Sequence, residues 1–168
     1  MAVAKIMVFT HGKSDFRLVA AHFSLGKVYL ETGCYEQAVG HLTIASTKLS
    51  KMGDIKETKI YNSYILTSLA RCYMALEGYN HCLELLSRAY DIQSNNQNIK
   101  GSSLAQETLE LLAKVYLKLK MPKDAIKITD KLIDTLQSQL VDFQDILDRL
   151  KEQVGKDRDS DIPTAQKI

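Results

Sequence analysis

The sequence predicts an all-α protein: a solenoid of three helix pairs followed by one long terminal helix. Three observations carry this. A short cassette returns three times, as Leu25-Gly26-x-x-Tyr29 followed by Tyr35 and Ala38, Leu69-Ala70-x-x-Tyr73 followed by Tyr79 and Cys82, and Leu112-Ala113-x-x-Tyr116 followed by Ala125, at offsets of 44 and 43 residues. Apolar residues within each unit recur at helical rather than alternating spacing. No glycine or proline interrupts the chain from Lys123 to Val154. A large, a small and an aromatic residue returning at fixed spacing describe a packing unit, not a catalytic one.

The elements follow in order. Met1 to Phe9 is apolar with one lysine and lacks the small-residue cleavage pattern of a secretion signal. Residues 1–16 are therefore expected to be a strand-like or helical flap, or lead-in, over the first repeat. A start created by truncation or an alternative exon would read the same way. Leu18, Val19, His22, Leu25, Val28 and Tyr29 mark the first helix, which Thr32-Gly33 ends. Tyr35, Ala38, Val39, Leu42 and Ala45 share one side of the second. After a polar connector the pair recurs over 60–76 and 79–92, and an Asn/Ser/Gly-rich loop spans 93–102. Ser103 with Gln106 reads as a capping box opening the next helix. Pro122 suits the first position of the last helix.

From Ile126 onward, Thr129, Ile133, Leu136, Leu140, Phe143, Leu147, Leu150 and Val154 step by alternating threes and fours, a heptad-like seam. One helix of about 30 residues there would reach roughly 45 Å. Two roles compete for the stretch. It caps the last repeat, whose outer face would otherwise be bare, or it is a dimerising or partner-binding coiled coil. The expected division is thus 1–16 lead-in, 17–137 three repeats (17–51, 60–94, 103–137), 138–155 capping or coiled-coil helix, and 156–168 disordered tail.

Bulk properties bound the function. In 168 residues, 22 Lys and Arg against 20 Asp and Glu leave a net charge of +2, which gives no electrostatic warrant for nucleic-acid binding. No stretch approaches the ~20 apolar residues of a membrane span. Cys34, Cys72 and Cys82 have no metal-ligand spacing and read as reduced, buried thiols in a cytosolic protein, with Cys82 on a small-residue position of the repeat.

These residues resemble the tetratricopeptide repeat. The first unit supplies His22, Leu25, Gly26, Tyr29, Gly33, Tyr35, Ala38, Leu42 and Ala45; the second Leu66, Leu69, Ala70, Tyr73, Tyr79, Cys82, Leu86 and Ala89; the third Leu109, Leu112, Ala113, Tyr116, Ala125, Thr129 and Leu132. The third departs most, with Lys123 for an aromatic and Thr129 for a large apolar residue. The period of 43 to 44, rather than 34, is similar to the longer-helix branch typified by kinesin light chain, and Gly12 resembles its lead-in loop. The resemblance implies a right-handed superhelix with a peptide-binding concave face, and protein partners in cytoskeletal, motor or ciliary complexes. It places the chain in the cytoplasm, with the cytoskeleton or cilium as a setting, and a microtubule or axonemal complex among its partners.

Projecting the cassette puts Phe23, Lys27 and Leu30, then Tyr64, Arg71 and Met74, then Glu110, Lys114 and Leu117 on the groove. Lys27, Arg71 and Lys114 share one register and would form a basic ladder for an acidic peptide or helix; the same residues would equally keep exposed helices soluble. Where chaperone-tail-binding relatives use lysine and asparagine, this chain has Phe23, Ser68, Glu107 and Leu111, which counts against co-chaperone activity. The terminal seam Leu140, Phe143, Leu147, Leu150 and Val154 is the other candidate surface, and would support a homodimer. His11, His22, His41 and His81 are scattered, and no phosphate loop, HExxH run or nucleophile elbow is present. Asp142, Asp145 and Asp148 form a solvated acidic stripe. The expectation is a non-enzymatic interaction scaffold or adaptor with no cofactor and no metal.

Overall fold

The computed structural model describes the backbone of residues 2–52, 56–96 and 98–160, and side chains within 16–52, 57–96 and 98–151. Among the described residues six helices follow one another: α1 (Ala2–Glu31), α2 (Tyr35–Ser50), α3 (Lys56–Ala75), α4 (Tyr79–Ser94), α5 (Ser103–Lys118) and α6 (Pro122–Ser160). Among the described residues there is no strand. The chain divides within α6 into two units, 1–132 and 133–168.

In the first unit the helices pair as α1 with α2 and α3 with α4, and each pair meets the next through α2 on α3 and α4 on α5. One turn joins the helices of every pair. Cys34, Gly78 and Met121 donate their backbone N–H to the carbonyls of Tyr29, Tyr73 and Tyr116 at 2.9, 2.8 and 2.8 Å. The residue before each donor is left-handed: Gly33, Glu77 and Lys120 at φ 78°, 57° and 59°. This is the six-to-one closure of a Schellman end. It also fixes the alignment of the third repeat: Pro122, not Lys123, takes the place of Tyr35 and Tyr79.

Two cores result. Ala38, Leu42, Ala45 and Leu49 of α2 cluster with Ile65, Leu69 and Cys72 of α3 and with Val19 and Leu30 of α1. Cys82 and Leu86 of α4 cluster with Leu109, Leu112 and Val115 of α5, closed by Ile128 and Leu132 of α6. Close approach within the first pair depends on Gly26, where a Cβ would lie 2.6 Å from Leu42 Cγ. Thr67 and Thr108 hydroxyls, 3.1 Å apart and buried, join α3 to α5.

Several boundaries differ from expectation. Residues 2–16 continue α1, so Gly12 sits inside a helix and there is no separate flap. The cap of α5 is Ser102, whose Oγ accepts from Ala105 N at 3.3 Å, while Gln106 donates to the Gly101 carbonyl; the box at Ser103 does not form. Gly155 does not stop α6, which runs to Ser160, since one glycine costs a helix only about 1 kcal/mol. The rest of the expected tail, 161–168, lies outside the described residues. Tyr29, Tyr73 and Tyr116 are half-buried, and Tyr73 packs against both cores. In the second unit, α6 exposes Leu140, Phe143, Leu147 and Leu150; Val154 lies outside the described side chains.

Two substitutions test this packing. Leu42 is fully buried and its Cγ is not a flexible end, so Gly26→Ala should destabilise by about 1–3 kcal/mol in chemical denaturation. Gln93 is buried where the preceding repeat has Leu49, and among the described residues neither amide atom of Gln93 has a hydrogen-bond partner. Gln93→Leu should therefore raise stability by about 1–3 kcal/mol.

Candidate protein-binding surfaces

The face carried by α1, α3 and α5 brings together some of the expected groove residues and not others. Lys27 and Lys114 are exposed, and Lys27 Nζ lies 5.9 Å from the centre of the Phe23 ring. Arg71 stands between them already engaged: Nη2 is 3.3 Å from Glu31 of α1, and Nε is 3.7 Å from Glu107 of α5. The middle rung of the ladder thus links α1, α3 and α5, the first helices of three successive pairs, and two carboxylates offset the three cations. Such exposed pairs contribute at most about 1 kcal/mol each. Tyr64 and Glu110 are exposed on the same helices.

Leu30 belongs to the first core and Met74 packs half-buried against the second, whereas Leu117 is exposed. They share one register at the junction to the following repeat. Phe23 is half-buried by the first core and meets Tyr61 edge-on at 5.3 Å, and Phe16 meets Tyr61 at 5.1 Å. Burial pushes the Tyr61 phenol above its ordinary range. Phe16 and Tyr61 escaped sequence reading because neither belongs to the cassette.

A second surface lies at the α1 end. Leu25 is 46% exposed, whereas its counterparts Leu69 and Leu112 are 5% and 2% exposed. Val28 is 59% exposed, whereas Cys72 and Val115 are fully buried. In α3 and α5 this register is covered by the helix before it; in α1 Leu18, Leu25 and Val28 form an open apolar strip. The cassette itself marked the register, and only its position in the stack decides whether it is covered.

Little here supports chemistry. His22 and His41 hold their Nδ1 atoms 3.0 Å apart, so one ring donates and the other accepts, and His41 stacks on Tyr29. Among the described residues no three His, Cys, Asp or Glu side chains converge, and no helix is long and apolar enough to cross a membrane. A cleft of about 200 Å³ beside Tyr90, Tyr116 and Lys131 is below the size of a typical small-molecule site. The Cys82 thiol donates to the Ala70 carbonyl at 3.2 Å. Burial raises Cys72 to about 11 and Cys82 to about 12 from an ordinary 9.0.

Comparison of the sequence with protein-family models and with curated proteins found no match. Among solved structures, the TPR domain of Arabidopsis FLU superposes with a TM-score of 0.63 at 20% identity, over 74% of this chain and 98% of that one. The fold is the tetratricopeptide repeat. The α-solenoid read from the cassette is thereby borne out.

Neutral thiols are poor nucleophiles. At pH 8 a thiol reagent should modify half-buried Cys34 in the native tetratricopeptide protein and reach Cys72 and Cys82 only after unfolding. Because both folded values are raised, the stability these thiols contribute is present below pH 9 and is lost as pH climbs toward 11–12.

Proposed function

We propose that this protein is a non-enzymatic scaffold or adaptor that holds a protein partner within a larger assembly. The observation that carries the reading is the open strip Leu18, Leu25 and Val28, which repeats the register that elsewhere joins one helix pair to the next. A partner that fits is an amphipathic helix with small and large apolar residues stepped by four, three and four, as Ala38, Leu42, Ala45 and Leu49 are stepped on α2. The kinesin-light-chain-like period supports a ciliary or microtubule-associated assembly as the setting.

A second reading is a receptor for acidic segments along the groove, favoured by the exposed cations Lys27 and Lys114. The pairing of Arg71 with Glu31 and Glu107 weighs against it. Affinity purification from native extract separates the two. The strip reading expects partners recovered by the wild type to be lost with Leu25→Glu/Val28→Glu and kept with Lys27→Glu/Arg71→Glu/Lys114→Glu. The opposite result assigns binding to the groove. Retention by both variants removes both surfaces from the function.

A further inference from the structure

We propose that the second unit associates with a second copy of this chain, with residues 133–150 of two α6 helices pairing antiparallel. Ile133, Leu136, Leu140, Phe143, Leu147 and Leu150 occupy the a and d places of consecutive heptads. All six are exposed, from 45% at Ile133 to 67% at Phe143. A single helix in water gains nothing from such a row, and a matching row facing it would bury the whole of it.

The spacing of the row reads the same in both directions and so admits a second copy running antiparallel. Counted inward from its two ends, Ile133 stands opposite Leu150, Leu136 opposite Leu147, and Leu140 opposite Phe143. When two copies run antiparallel about a two-fold axis between Leu140 and Phe143, every apolar residue of one meets an apolar residue of the other at the same level. The contact is isologous and closes on itself as a dimer. Parallel pairing would instead oppose Phe143 to its own copy and crowd one layer. Antiparallel pairing sets each phenyl against a leucine, which keeps the layers even.

The charges agree. Asp134, Asp142, Asp145 and Asp148 fall at the outer b, c and f places of the heptad. The places flanking the seam hold Gln137, Gln139, Gln144 and Ile146. An acidic helix whose aspartates all lie off the seam meets its own copy without like charges opposed, and neutral flanks offer a charged foreign helix no selective pairing.

Sedimentation equilibrium of the full chain, from micromolar to near-millimolar concentration, tests this. The wild type should reach twice the monomer mass. Phe143→Glu/Leu147→Glu should weaken the dimer roughly a hundredfold or more, with unchanged helical circular dichroism because both side chains are exposed in the single chain. Orientation is read by cross-linking in a Cys34→Ser background. A mixture of Ile133→Cys and Leu150→Cys chains should form the mixed disulfide, and neither should cross-link with itself. A wild type that stays monomeric, a dimer indifferent to the glutamates, or self-cross-linking of Ile133→Cys would each overturn the proposal.

Discussion

The close approach of paired helices at Gly26, Ala70 and Ala113 is the constraint on which the first unit rests. Where Gly26 faces Leu42 there is no room for a single methyl group. Bringing the helices that near lets Leu42 pack against α1, and Ala38, Leu42, Ala45 and Leu49 form one face of α2 buried in the first core. The second pair admits a methyl at Ala70, buried in the same core as Leu86.

The turn at the end of each inner helix serves that approach. It is built three times from the backbone alone, and the left-handed residue is glycine only once; Glu77 and Lys120 adopt the same conformation at a cost of about 1 kcal/mol or more each. The structure tolerates that cost because the turn sets the return angle of the second helix, and everything packed beyond it depends on that angle. No side-chain cap helps at Cys34 or Gly78.

The repeat register was legible in the sequence because it is a packing rule: Leu69, Ala70, Cys82 and Leu86 lie where the cassette puts them. What the register could not supply was position in the stack. Leu25 satisfies the pattern as well as Leu112 does, yet Leu25 is exposed where Leu112 is covered by the helix packed against α5. Leu30 projected onto the groove because one helical step separates a lining residue from a packing one. The candidate groove was half legible: Lys27 and Lys114 are exposed, but Glu31 and Glu107, which hold Arg71, follow no repeat. Glycines misled in the other direction, since Gly12 and Gly155 read as breaks and lie within helices. A local cost of about 1 kcal/mol does not end a helix whose neighbours favour it.

Each pair in this account is held mainly by the pair beside it, as in a one-dimensional stack. Native-state hydrogen exchange followed residue by residue tests that most directly. The middle pair, α3 and α4, has neighbours on both sides and should be the most protected. Protection should fall through α1 and be least beyond Leu132, where α6 exposes its apolar residues. Protection that is uniform along the chain, or greatest in α1, would contradict the account.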